Sequence, residues 1–307
     1  MPTNTPPRRP TSRWLVRSAA VAGGFGLVAL TGLLAALYAL QARMIFPGAR
    51  SQGTPEASVA PRDGVELLTL TTSRGDRVAA AFGAALTPDG RPHPDAANRP
   101  TLLYFYGNGY NLRAAAESDL DPFRRLGFNV LIPEYVGYGL STGRAGERGC
   151  YETADAAYDY LRTRPDVDPA RVVAVGRSLG GAVAIDLASR RKVAGLVAFC
   201  TFTRMGDMVA RRFPFVPSDL LLRHRFESLA KVARVSCPIL LGHGGADTFV
   251  PASMSESLAS AAAGPVTAFT VAGADHNDFY EVGGRQIGDA VSRFVRRLET
   301  GGPTPAR

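Results

Sequence analysis

The sequence predicts an α/β domain, a mostly parallel central sheet with helices on both faces, preceded by one apolar N-terminal helix. Three observations predict it. Short β-branched or aromatic runs alternate with helix-like segments from about residue 100 onward, the pattern of strands joined by helical crossovers. Glycine-rich turns follow the ends of these runs, where ligand sites of open α/β sheets gather. Upstream, residues 18–42 contain no charged side chain and are mostly Ala, Gly, Leu and Val.

Residues 1–17 are rich in Pro and Arg without apolar periodicity and are expected to be a disordered basic tail. The apolar stretch 18–42 is long enough, at about 1.5 Å per residue, to cross a hydrocarbon core of about 30 Å. A cleaved signal peptide is the competing reading. The run is longer than a signal's apolar region and ends in no clean small-residue cleavage site, so an uncleaved anchor is expected. Arg8, Arg9, Arg13 and Arg17 precede it, and Arg43 and Arg50 follow, which predicts a cytoplasmic N-terminus and an extracytoplasmic domain at the cell membrane. These six arginines account for most of the net charge of +8, so the rest of the chain is close to neutral and no nucleic-acid partner is expected.

After a lead-in to residue 61, runs 65–72 and 77–86 flank Ser73-Arg74-Gly75-Asp76 and predict a hairpin at one sheet edge. Residues 87–100 are turn formers and read as a surface loop, with His93 an exposed bystander between two prolines. Strand 101–106 (TLLYFY) runs into Gly107-Asn108-Gly109, then helix 112–126, strand 128–132, loop 134–139 and helix 153–164 follow. The stretch 172–191 is the centre of the prediction. A β-branched strand, 172–175, breaks at Gly176-Arg177-Ser178-Leu179-Gly180 and resumes as a helix. Strand 193–199 comes next, then an apolar insertion, 201–235, of the length of a short cap. Strands 238–242 and 266–271 and an amphipathic helix, 285–298, complete the domain, which spans 43–300 (301–307 should be a disordered tail).

A Gly-x-Ser-x-Gly turn between a strand and a helix exposes the serine hydroxyl above the sheet, over a helix N-terminus. A hydroxyl becomes a useful nucleophile only when a base removes its proton. His276 supplies a base with a pKa near neutrality, and Asp247 an acid to orient it. Both sit in loops after strands, and the chain order Ser178, Asp247, His276 belongs to one serine-hydrolase architecture. The negative oxygen formed on attack needs preorganised donors. The backbone N–H groups of Leu179 and Asn108 are the candidates for this oxyanion hole. Asp275 and Asp278 flank His276 as alternative acids, but a sequence neighbour rarely reaches the right ring nitrogen. His243 is read as a supporting or structural group at a strand end, His224 as a residue of the cap segment, and Ser141 as a loop-shaping residue. Cys150, Cys200 and Cys237 show no metal-like spacing, and Cys200 and Cys237, each at a strand end, are expected to be buried free thiols. No metal or dinucleotide motif occurs, so no cofactor is expected.

From Met44 to about Leu298 the chain resembles the α/β-hydrolase superfamily and, within it, membrane-anchored Bem46-like serine hydrolases. The resemblance rests on Met44-Ile45-Phe46-Pro47, Tyr106-Gly107-Asn108-Gly109, Gly137-Tyr138-Gly139-Leu140-Ser141, the Ser178 turn, Gly245-Ala246-Asp247 and Asp275-His276-Asn277-Asp278-Phe279. Such relatives usually carry His-Gly-Asn where this chain has Tyr106-Gly107-Asn108. The resemblance implies the α/β-hydrolase fold and a membrane-anchored serine hydrolase that cleaves a carboxylic ester or thioester through an acyl-enzyme on Ser178. Its substrate would be a small-molecule or lipid ester. The same fold and side chains also serve peptidases and amidases, and a silent anchored interaction protein is the reading from another class.

Overall fold

The computed structural model describes residues 11–300, so most of the expected basic tail and all of the C-terminal tail lie outside the described residues. The first helix, α1 (Thr11–Ile45), is longer at both ends than the uncharged stretch. Residues 11–17, expected in the tail, are already helical, because Trp14, Leu15 and Val16 continue the apolar run with no helix breaker between them. Val16–Ile45 is long and apolar enough to cross a membrane, and none of its most apolar stretch is buried among the described residues.

The sheet has eight strands in the order β1-β2-β4-β3-β5-β6-β7-β8. The strands are β1 (Val65–Thr71), β2 (Arg77–Gly83), β3 (Thr101–Phe105), β4 (Asn129–Pro133), β5 (Val172–Arg177), β6 (Gly195–Phe199), β7 (Ile239–Gly244) and β8 (Val266–Val271). The β1–β2 hairpin forms one edge, and β2 also runs antiparallel to β4. Every other pairing is parallel. β3, β4, β5, β6 and β7 are buried at every residue, as continuous apolar runs must be when helices cover both faces.

The helices differ from the sequence expectation in instructive ways. The segment 112–126 is α2 (Leu112–Ala115) and α3 (Asp121–Arg125) with a π-turn, Ala116–Leu120, between them. Pro122 has no N–H to return to the preceding turn, so the regular ladder cannot run through it. Helix α4 (Glu147–Leu161) starts nearly two turns before the expected residue 153. Its buried stripe begins with Gly149 and Cys150, small residues that carry little apolar signal but let the helix close onto Val136. Helix α5 (Leu179–Arg190) follows β5 directly. The insertion after β6 holds three short helices, α6 (Met205–Arg212), α7 (Ser218–Leu221) and α8 (Ser228–Val232). Helix α9 (Ala252–Ala261) has no counterpart in the sequence expectation, since Met254 and Leu258 are the only large apolar residues on its buried side. The last helix, α10 (Phe279–Thr300), is longer than expected and buries Ile287, Ala290, Val291, Phe294 and Val295.

Cys150 and Cys200 are buried free thiols, while Cys237 is only half-buried.

Candidate active site

The turn between β5 and α5 is held open from below and above. A Cβ at Gly176 would collide with the Gly180 carbonyl, and one at Gly180 with the Phe105 carbonyl of β3. Ser178 between them adopts φ 54°, ψ −119°, a conformation that L-residues occupy only under constraint. The constraint is visible: the Ser178 N–H donates to Phe199 O at 2.8 Å, and the Thr201 hydroxyl donates to Ser178 O at 2.9 Å. The serine side chain thus stands above the sheet with the first turn of α5 beneath it.

The loops after β7 and β8 deliver the other two residues. His276 Nε2 lies 3.0 Å from Ser178 Oγ, and His276 Nδ1 lies 2.8 Å from Asp247 Oδ2. With Nδ1–H donating to the carboxylate, Nε2 is left free to accept the serine proton. Asp247 Oδ1 is separately occupied by the N–H groups of Phe249 at 3.0 Å and Val250 at 2.7 Å. Burial alone would raise the pKa of this carboxyl. Hydrogen bonds from His243, His276 and the Val250 N–H outweigh burial and hold the carboxyl well below the ordinary carboxylate range.

The alternative acids are employed elsewhere. Asp275 Oδ1 accepts from the Thr248 N–H at 2.8 Å and the His276 N–H at 2.7 Å, tying the two loops together. Asp278 Oδ1 accepts the Asp275 N–H at 2.6 Å. His243 is buried on β7, with Nδ1 2.6 Å from Ser255 Oγ and Nε2 2.8 Å from Val250 O, and it braces the Asp247 loop. Cys200, His243 and Asp247 bring their donor atoms within 4.8 Å of one another. Both nitrogens of His243 are already bonded to protein atoms, however, so this is a packed brace with no vacant ligand set. His224 sits edge-on to Phe46 and accepts the Glu147 N–H at 3.3 Å. Ser141 accepts the Ala79 N–H at 3.1 Å. His93 is half-buried rather than exposed, accepting the Asp95 N–H within its own loop.

The Leu179 N–H opens α5 and, like the Asn108 N–H after β3, donates to no acceptor among the described residues. Gly107 lies beside Ser178, where a Cβ would make an ordinary 3.7 Å contact with the serine Cβ. Asn108 itself is pinned from outside the sheet. Its side chain donates to Ile45 O at 2.8 Å, while its carbonyl accepts the Gly48 N–H and the Tyr138 hydroxyl, each at 3.0 Å. Below it, the Tyr106 hydroxyl donates to Glu134 Oε1, which also accepts the Leu112 N–H at 2.9 Å. Tyr135 donates to Tyr106 O at 2.8 Å. A buried Tyr–Glu–Tyr cluster therefore supports the Asn108 loop. Burial pushes the Glu134 carboxyl up to about 7, against the opposing hydrogen bonds from Tyr106 and Leu112.

Three contributors escaped the sequence reading. Arg177 is buried and donates to His276 O, with its guanidinium 5.5 Å from the Tyr280 ring. Glu134 gave only the signal of one acid directly after a fully apolar strand. The third is the end of α1: an apolar cavity of about 210 Å³ opens onto Ser178 between the cap and this helix end. Met205, Met208, Val209, Phe213 and Val216 of the cap line it, together with Phe202 and Phe249. Phe213 and Val216 thus face the cavity, whereas Phe215 of the same Phe-Pro-Phe-Val-Pro run projects into solvent at 96% exposure.

Comparison with known proteins extends these observations. The Dienelactone hydrolase family model matches residues 142–280. An uncharacterized protein of Mycobacterium tuberculosis is 39% identical over 204 residues, covering 66% of this chain and 72% of that protein. Alpha/beta hydrolase domain-containing protein 17B of Xenopus tropicalis is 31% identical over 234 residues, covering 76% of each. Among solved structures, the Pyrococcus furiosus esterase Pf2001 superposes with a TM-score of 0.62 at 17% identity, over 78% of this chain and 97% of that one. An alpha-beta hydrolase from Vibrio vulnificus gives 0.62 at 18% identity, over 82% and 92%. The comparisons carry the superfamily and do not name the Bem46-like subgroup.

Proposed function

We propose that this chain, which belongs to the α/β-hydrolase superfamily, is a membrane-anchored serine hydrolase that cleaves carboxylic esters or thioesters through an acyl-enzyme on Ser178. Hydrolase chemistry of the esterase kind is what the family supports. The serine mechanism rests chiefly on one observation, the continuous chain Ser178 Oγ to His276 Nε2 at 3.0 Å and His276 Nδ1 to Asp247 at 2.8 Å.

In this mechanism Ser178 Oγ attacks the substrate carbonyl carbon as His276 Nε2 takes its proton. The imidazolium that forms is stabilised by Asp247, which its hydrogen bonds keep ionised. The carbonyl oxygen, now negative, accepts from the Leu179 and Asn108 N–H groups. Collapse of the intermediate breaks the bond to the leaving oxygen or sulfur, and His276 gives that atom its proton. Water then attacks the acyl-enzyme as His276 Nε2 takes a proton from it, and His276 passes that proton to Ser178 Oγ as the acid leaves. Arg177 contributes by holding the His276 backbone, and the Tyr106–Glu134–Tyr135 cluster by holding the loop of Asn108.

The anchor reading places α1 across the cell membrane, with its N-terminus in the cytoplasm and the hydrolase domain outside. The arginines flanking the apolar stretch support that orientation. Labelling of the full-length protein by a fluorophosphonate, lost on Ser178→Ala, tests the serine assignment. A folded wild-type protein that takes no label would remove it.

A further inference from the structure

The end of the anchor helix is built into the site. Leu34, Leu37, Gln41, Ala42 and Ile45 form the stripe of α1 that turns toward the hydrolase domain, at the 3–4 spacing of one helix face. From this end of the helix Leu37, Tyr38, Gln41, Met44 and Ile45 line the same cavity as Ser178. A glutamine in a membrane-spanning run is costly unless it finds partners. Gln41 is buried and finds them in the cap: its Nε2 donates to Leu221 O at 3.1 Å, and its Oε1 accepts the Arg223 N–H at 2.8 Å. The Arg223 guanidinium lies 4.8 Å from the Tyr38 ring centroid, which adds a cation–π contact to the same joint. At the end of the helix and just past it, Ile45 O and the Gly48 N–H hold Asn108, as described above. Anchor, cap and oxyanion loop are therefore one packed unit.

The cap also shows an apolar rim. Leu220, next to the Leu221 carbonyl that Gln41 binds, is 81% exposed, and Phe215 is 96% exposed. Bulky apolar side chains left in solvent beside a membrane-spanning helix are what an interfacial surface presents to lipid.

We propose that the last turns of α1 are one wall of an acyl-binding site, and that the enzyme draws long-chain acyl esters sideways from the bilayer through the gap between anchor and cap. This rests on the serine-hydrolase reading and names its substrate class. The carbonyl carbon sits over Ser178, and the acyl chain runs back along Leu37 and Met44 toward the hydrocarbon it came from. A water-soluble short-chain ester gains nothing from that wall, whereas each methylene of a long chain leaves water against it. The tether then does more than hold the enzyme at a surface, because it supplies part of the substrate-binding site.

The test uses the full chain in lipid nanodiscs with p-nitrophenyl acetate, octanoate and palmitate. The expected result is a kcat/KM that rises with chain length, and a palmitate-to-acetate ratio that falls at least tenfold in Leu37→Trp and Met44→Trp, which fill the cavity from the helix side. Val28→Trp, higher on the same helix and exposed, should leave the ratio where it was. A wild-type profile that is flat or falls with chain length overturns the proposal, as does an unchanged ratio in both wall variants. Fluorophosphonate labelling is run on every sample. A labelled protein with a flat profile refutes the acyl wall alone, whereas an unlabelled wild type refutes the hydrolase reading beneath it.

Discussion

The buried carboxyl of Glu134 makes a quantitative prediction about pH. It lies under the Asn108 loop, accepting from the Tyr106 hydroxyl and the Leu112 N–H through one oxygen. The other oxygen, Oε2, is near the Leu140 N–H without a well-formed hydrogen bond. Desolvation dominates, so the carboxyl titrates at about 7 in the folded protein against 4.5 when unperturbed. The folded state therefore holds this proton more tightly than the unfolded chain does. Below pH about 4.5 both states are protonated and Glu134 costs nothing. Between 4.5 and 7 the unfolded chain ionises first and stability is lost, and above 7 the loss levels off. A tenfold difference in proton affinity is worth about 1.4 kcal/mol, so the gap between the two states amounts to a loss of about 3 kcal/mol. Asp247 has the opposite sign, since its depressed pKa stabilises the fold above the ordinary carboxylate range and is lost only in acid. The two windows do not overlap. Thermal or denaturant unfolding of the full chain in detergent, from pH 4 to 8, should show wild-type stability falling relative to Glu134→Gln by about 3 kcal/mol across the upper window. Parallel profiles for the two proteins would refute the reasoning, because Gln cannot titrate.

Two further predictions concern the acid and the anchor. Asp247→Asn should lower kcat by about 10⁴-fold, because the amide cannot both accept from His276 Nδ1–H and stabilise an imidazolium. Asp275→Asn should retain most activity, since Asp275 only ties loop N–H groups, and ester hydrolysis by the two variants checks the ranking. Protease added to intact spheroplasts should digest the hydrolase domain, and full protection with a sealed membrane would reverse the proposed topology.

The parts of this molecule that were legible in the sequence are those where one physical demand dominates. Buried parallel strands must be apolar throughout, so β3, β5, β6 and β7 stood out, along with the Ser178 turn that needs glycines against backbone on both sides. The grouping of Ser178, Asp247 and His276 was legible because three loops after three strands must converge on one edge of such a sheet. What was hidden depended on neighbours distant in the chain. Arg177 occupies a variable position of the turn, and nothing local tells that it reaches the His276 carbonyl 99 residues away. The start of α4 was masked by small residues whose purpose is to let a helix approach Val136. Gln41 is one uncharged residue within an apolar run in the sequence, and only the cap backbone it binds, 180 residues on, reveals why it is there.

The central claim is that Ser178 becomes acylated. Full-length protein mixed with a slowly hydrolysed ester, quenched in acid within the first turnover and analysed by mass spectrometry measures it directly. The account predicts a mass increase equal to the acyl group, confined to the peptide that contains Ser178 and absent in Ser178→Ala. Turnover of the ester by the wild-type protein with no acyl adduct, or with the adduct on another residue, would contradict it.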